Sequence, residues 1–200
     1  MEPGAYDVLM KVSSHGAGFV VASNVVVREG TLTHINPNPL VGGIGVEPVS
    51  KRGFPLIKTL QFIDRSSGDK RLLAQQTDKL GVTLPIAPGT YDVIGTTTYD
   101  QQVEIASNLA VKAGQITRLD TLGQVAAVAV HAPNVKGLDM KAVYVLKAGT
   151  NQIAARVDAW DVPMLVPGGV SYDIALEQSA GLTRIRSGIT PRRGELMELR

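Results

Sequence analysis

Pro88-Gly89-Thr90-Tyr91-Asp92-Val93, followed by Val103 to Thr117 (Val-Glu-Ile-Ala-Ser-Asn-Leu-Ala-Val-Lys-Ala-Gly-Gln-Ile-Thr), decides how this chain is read. The same pattern opens the sequence at Pro3-Gly4-Ala5-Tyr6-Asp7-Val8, with Ala22 to Thr33 behind it. A third version is Pro167-Gly168-Gly169-Val170-Ser171-Tyr172-Asp173-Ile174, trailed by Gly194-Glu195-Leu196-Met197. In the three versions a second glycine follows the first by 26, 25 and 26 residues (Gly4 to Gly30, Gly89 to Gly114, Gly168 to Gly194). Self-similarity at that spacing is the mark of an internal repeat. Each part of the motif has a physical reason. Proline pre-sets φ for a turn and glycine supplies the positive φ of a type II turn. Tyr91 and Val93 then share one face of a strand, with Asp92 on the other. A tyrosine there buries its ring and leaves its hydroxyl at the rim.

Working outward, segments of 5 to 9 residues rich in Val, Ile, Leu and Thr recur, with Gly, Pro, Asn and Asp between them every 8 to 12 residues. That is the pattern of antiparallel sandwiches. Leu40 to Thr121 holds Gly42–Val46, Leu56–Ile63, Arg71–Gln75 and Val82–Ile86 before its Pro-Gly turn. Their counterparts are Ala126–Val130, Met140–Leu146, Gln152–Val157 and Val162–Val166. About seven strands per unit are expected. Asp69 to Leu80 is the best helix candidate, and its β-forming counterpart argues for a strand instead. Lys112-Ala113-Gly114 and Arg28-Glu29-Gly30 read as tight turns into a last strand. Leu32, Ile116 and Leu196 fall on the face opposite Thr33, Thr117 and Met197, so that strand is expected to be bulged or covered on both sides. The predicted organisation is 1–36, the C-terminal part of an incomplete unit; 40–121, a unit; and 122–200, a unit. Residues 1–35 would leave an open edge, completed by other sequence or another chain.

Composition narrows the function. The chain has 200 residues, 44% of them hydrophobic, with Gly 21 and Pro 11, as in an ordinary globular chain. A net charge of +2 gives no case for nucleic acid or an anionic membrane. Cysteine is absent, which removes disulfides and thiolate metal sites. No run of about 18 apolar residues predicts a membrane span. Met1-Glu2-Pro3-Gly4 lacks the charged and apolar regions of a signal peptide.

The Pro-Gly-x-Tyr-Asp-Val stretch, with the Val111-Lys112-Ala113-Gly114-Gln115-Ile116-Thr117 hairpin, resembles the prealbumin-like (transthyretin-like) seven-stranded sandwiches. It is more closely similar to the carboxypeptidase regulatory-like and B-type surface-protein repeats that accompany larger secreted or surface proteins, some with von Willebrand factor A domains. The resemblance implies an all-β fold of tandem small antiparallel sandwiches and an accessory role as spacer, positioner or protein-interaction module. Its expected place is extracellular, periplasmic or at the cell surface. B-type repeats sometimes join a lysine and an asparagine covalently, which here would pair Lys58 with Asn108 beside Glu104. The urate-pathway hydrolase of the transthyretin-like fold needs a His and Arg constellation and a C-terminal peptide that this chain lacks. The third unit departs from the pattern through Val170-Ser171 and Pro191, the latter suited to an edge.

No enzyme and no cofactor are expected. His15, His34 and His131 show no zinc-ligand spacing. Asp7, Asp92 and Asp173 read as outward-facing strand aspartates that discourage edge pairing, since Ca²⁺ would need several oxygens from one loop. Gly42-Gly43-Ile44-Gly45 lacks the Gly-Lys-Ser/Thr of a phosphate loop. Arg184, Arg186, Arg192 and Arg193 concentrate positive charge. Arg184 and Arg186 are expected on one face, able to meet an acidic partner. Trp160, in the turn Asp158-Ala159-Trp160-Asp161, is expected to cap a sandwich. The alternative is a sugar-stacking platform with Tyr99 and Tyr144. The partners expected are therefore proteins or neighbouring domains, with carbohydrate as the second class.

Overall fold

The computed structural model describes residues 1–11, 19–37, 39–47, 51–66, 70–74, 83–132 and 140–200. The protein is all-β, with no helix among these residues and several small sheets. Two strands come first, β1 (Gly4–Met10) and β2 (Phe19–Val27). Seven follow: β3 (Gly42–Val46), β4 (Ile57–Asp64), β5 (Lys70–Ala74), β6 (Thr83–Ile86), β7 (Gly89–Thr97), β8 (Gln102–Val111) and β9 (Ile116–Leu119). Seven more complete the chain: β10 (Val125–Val130), β11 (Ala142–Lys147), β12 (Ile153–Val157), β13 (Met164–Pro167), β14 (Tyr172–Gln178), β15 (Gly181–Ile189) and β16 (Leu196–Leu199). The helix candidate at 69–80 is a strand where described, at Lys70–Ala74, and the remainder lies outside the described residues.

The two sets of seven repeat one connectivity. Sheet orders are β6-β3-β9 and β5-β4-β7-β8 in the first, β13-β10-β16 and β12-β11-β14-β15 in the second. Registers agree as well: Gly43 faces Pro85 and Ile116, and Ala127 faces Leu165 and Leu196. In each set the first strand runs parallel to the last and antiparallel to the fourth. Small residues on the first strand have a packing cause. A Cβ at Gly42 would run into Val111 Cγ1, and one at Gly43 would sit 2.7 Å from Thr83 Cγ2. Gly42 to Gly45 therefore form a close-packed strand with the geometry of a ladder.

Alternation along β7 places Tyr91 and Val93 in a core with Ile44, Ile57, Leu60, Phe62, Ile86, Val103, Ile105, Val111 and Leu119. The Phe62 and Tyr91 rings meet edge to face, 6.2 Å between centroids, a favoured aromatic geometry. A second core gathers Val128, Val143, Val145, Met164, Val166, Tyr172, Ile174 and Leu176. The two are not separated by solvent. Val125, Ala127 and Leu165 belong to the first core, whereas Ala126, Val128 and Val130 on the same β10 belong to the second. All six residues of β10 are buried, because each of its faces covers a different core. Leu196 packs on the first core and Met197 on the second. Coverage of the last strand on both sides thus holds for Leu196, while Ile116 and Leu32 are exposed.

This joint is testable. Leu165→Ala is expected to cost about 2–5 kcal/mol. Its effect should reach β8, in the other set of strands, as faster amide hydrogen exchange at Gln102–Val111. Exchange altered only within residues 122–200 would contradict a shared core.

Candidate functional site

The repeated tyrosine and aspartate build one local device. Tyr91 Oη donates to Ala87 O at 2.8 Å, Tyr172 Oη to Pro167 O at 2.9 Å, and Tyr6 Oη to Glu2 O at 2.7 Å. The third copy has two more residues between proline and tyrosine, and the acceptor moves from the residue before the proline to Pro167 itself, which leaves the bond intact. Each hydroxyl thus ties down the turn that leads into its own strand. Burial pushes the Tyr172 hydroxyl up to about 12, so it remains a donor throughout the physiological range.

Asp92 and Asp173 are not edge guards, whereas Asp7 lies on β1, which pairs with β2 alone among the described residues. Asp92 and Asp173 lie on β7 and β14, each paired on both sides, and each carboxylate reaches into a β-bulge of the next strand. Asp92 Oδ1 accepts from the Asn108 amide at 3.0 Å, Asp173 Oδ1 from Gly188 at 3.0 Å, and Asp7 Oδ1 from Asn24 at 3.1 Å. Asn24, Asn108 and Gly188 have φ of 56°, 56° and 69°, a left-handed conformation open mainly to Asn and Gly. The register slips beside each aspartate. Without that carboxylate an amide would lose its partner at a point where the ladder supplies none. Asp173 also accepts from Gly149 at 3.0 Å and pairs with Arg184 at 3.4 Å. Asp92 pairs with Arg65 at 3.2 Å. The amide bonds hold both carboxyls below the ordinary carboxylate range, Asn108 chiefly for Asp92 and Gly149 and Gly188 for Asp173.

The arginines are dispersed. Arg184 reaches Thr150 O and Asn151 Oδ1 at 2.7 and 2.8 Å. Pairing sets Arg184 opposite Ala175 and Arg186 opposite the core-facing Ile174, with a register slip between. The bulge adds a residue, so the two side chains leave opposite faces instead of one. Arg192 and Arg193 are exposed in the turn before β16, where the Arg192 amide donates to Glu195 Oε2 at 2.8 Å. Pro191 lies beyond β15, and its carbonyl accepts from Gly169 at 2.8 Å.

Trp160 is half-buried against the second core. Tyr144 is covered by Arg156, 5.6 Å from its ring centroid, and its hydroxyl donates to Glu177 at 2.6 Å. Tyr99 is 54% exposed and lines an open cleft of about 420 Å³ with Asp100, Arg156, Val157, Asp158, Ala159 and Val162. The structure therefore does not assemble the three aromatics into one platform. It places Tyr99 alone at a cleft where the two sets of strands meet, beside Gln101, whose amide donates across the joint to Arg156 O at 2.9 Å. Lys58 pairs with Asp100 at 3.5 Å, so its nearest polar partner is not Asn108. His131 Nδ1 lies 2.5 Å from Asp161 Oδ1 and fastens the Trp160 turn to the end of β10. His34 is exposed, and His15 lies outside the described residues. No trio of His, Asp or Glu able to hold a metal occurs among the described residues, and no helix there is long and apolar enough to cross a membrane.

No family model and no curated protein matches the chain. Among solved structures, a leucine-rich repeat protein from Bacteroides thetaiotaomicron is similar over 80% of this chain, at 11% identity and a TM-score of 0.24; the chain spans 26% of that structure's length. The fibronectin(III)-like modules of Clostridium thermocellum CbhA are similar over 78% of this chain and 92% of theirs, at 10% identity and a TM-score of 0.22.

The sequence carries one signal that could have marked the aspartate device, an Asp in each repeat followed by Asn24, Asn108 or Gly188, residue types that tolerate positive φ. The folded carboxyls of Asp92 and Asp173 titrate below the unfolded ones, so their stabilisation is complete above the ordinary aspartate range. That stabilisation is lost as pH falls toward the lower folded value. Asp173→Asn is expected to flatten the acid limb of a stability-against-pH curve measured by urea unfolding between pH 6 and pH 2. An unchanged acid limb would remove Asp173 from that role.

Proposed function

We propose that the protein is a non-catalytic scaffold or protein-interaction module: tandem prealbumin-like sandwiches, one formed by β3–β9 and one by β10–β16, within a secreted or surface protein. The observation that carries this reading is the shared burial of β10. A strand packed on two cores holds neighbouring units in a fixed relation, as a spacer requires, whereas a flexible linker would let them move. Polar groups favour the same reading. Asp92, Asp173, Arg65, Arg184 and His131 are engaged in bracing turns and bulges.

Carbohydrate binding is the second reading, and the Tyr99 cleft favours it. An exposed aromatic face beside Asp100, Arg156 and Asp158 offers stacking together with donors and acceptors. Trp160, half-buried, would shape that region from its packed position.

Residual dipolar couplings from residues 40–121 and 122–200 are expected to fit one alignment tensor. Two unequal tensors would count against the spacer. A glycan array probed with the protein and with Tyr99→Ala separates the readings: silence supports the scaffold, and binding abolished by the substitution supports the sugar site.

A further inference from the structure

Two four-residue turns of the same make meet where the two sets of strands join. Lys51-Arg52-Gly53-Phe54 is closed by the Phe54 amide donating to Lys51 O at 2.9 Å, and Arg192-Arg193-Gly194-Glu195 by the Glu195 amide donating to Arg192 O at 3.0 Å. The third residue of each is a glycine with positive φ, 82° at Gly53 and 70° at Gly194, the position where a type II turn demands it. Each turn therefore carries two basic residues at its first two positions. The Lys51 ammonium donates to Gly194 O and lies 5.3 Å from the centroid of the Phe54 ring. Phe54 and Leu196 both pack on the first core. A Cβ at Gly53 would sit 2.5 Å from Leu196 Cδ2, so this loop rests directly on the start of β16.

Lys51, Arg52, Arg192 and Arg193 are all exposed, and none pairs with a carboxylate among the described residues. Other cations do pair: Arg65 with Asp92, Arg118 with Glu47, Arg156 with Asp158 and Arg184 with Asp173. The one carboxylate in the two turns is Glu195, which accepts from the Arg192 amide at 2.8 Å. Four cations against one carboxylate leave a local excess of positive charge, and like charges on touching turns repel one another. The net charge of the whole chain is only +2, so the positive potential belongs to this patch and not to the molecule at large.

We propose that the paired turns are a docking surface for an acidic segment of a partner protein, a proposal that rests on the protein-interaction reading and names the partner's chemistry. The guanidinium groups of Arg52, Arg192 and Arg193 match the carboxylates of Asp and Glu, each fork able to hold a carboxylate through two parallel bonds. Lys51, held back on Gly194 O, adds its charge from the floor of the patch. The small extent of the patch decides the class of partner. A nucleic acid is gripped through many phosphates along its length, and a chain of net charge +2 offers it no track beyond these turns. A few carboxylates on one peptide segment need only the span of two turns. Lys51 and Arg52 lie between β3 and β4, Arg192 and Arg193 between β15 and β16. The surface therefore exists only while the two sets of strands keep their relation, and the partner reads the assembled scaffold instead of either half.

The probe is a short fluorescein-labelled peptide of alternating Glu and Asp, added to the ¹⁵N-labelled full chain and followed by anisotropy and by amide shifts. Saturable binding at low ionic strength is expected, with shifts at residues 51–54 and 192–196, fading as salt screens the charges. Arg52→Glu, and the double change Arg192→Glu with Arg193→Glu, should each weaken it at least about tenfold. Arg28→Glu, the same change in net charge outside the turns, should leave it within about twofold. Gly53→Ala tests the geometry with every charge kept: a side chain is strained at that φ and meets Leu196, so binding should fall. Absence of binding, shifts away from both turns, or indifference to these substitutions overturns the docking surface. Tighter binding of a heparin oligosaccharide or of single-stranded DNA overturns the assignment to an acidic peptide. The scaffold reading is judged separately by the dipolar couplings, which are measured without any peptide.

Discussion

A buried phenol must find an acceptor for its hydroxyl, and in this chain the acceptor is always the backbone just upstream. That requirement, met at Tyr6, Tyr91 and Tyr172, holds the Pro-Gly bend, where Gly4 and Gly89 already begin their strands and neither they nor Gly168 take the positive φ expected of a type II turn. A net hydrogen bond is worth about 1 kcal/mol, yet an unpaired buried hydroxyl would cost more. The conformation of the turn is thus tied to burial of the ring. The aspartate beside it acts across the sheet instead of along the strand, and holds the neighbouring bulge at the residue with positive φ. Together they define a hairpin that β1 and β2 share with β7 and β8 and with β14 and β15.

The second constraint is steric. A strand with a core on both sides cannot alternate polar and apolar residues, and β10 accordingly reads Val-Ala-Ala-Val-Ala-Val. Its counterpart β3 reads Gly-Gly-Ile-Gly-Val, with Ile116 exposed on the adjoining strand. The same slot therefore has two compositions, set by whether another core lies against its outer face. Leu165 and Leu196 show the same difference relative to Pro85 and Ile116.

Much of this was legible beforehand. Strand positions followed from period two and from the turn residues, and the bounds of β3 were read without error because Gly42–Val46 lies between clear breakers. The burial of Tyr91 and Val93 and the packed role of Trp160 were also readable, since both depend on local alternation and one turn. What escaped notice depends on pairs distant in sequence. Asp92 looked like an outward guard because only the register shows its central strand and the amide of Asn108. Arg184 and Arg186 looked coplanar because a bulge adds a residue without leaving a mark in the pattern. The Tyr99 cleft joins residues from two sets of strands, and nothing at position 99 announces that.

One arrangement has a mechanical meaning. In each set of seven strands the first and the last lie side by side and run the same way, β3 with β9 and β10 with β16. A pull applied to the two ends of a set then draws these strands past one another lengthwise, so their ladder bonds bear the load together instead of opening one at a time. A polypeptide tethered at both ends, and stretched by flow or by attachment, would meet its stiffest resistance at those parallel pairs.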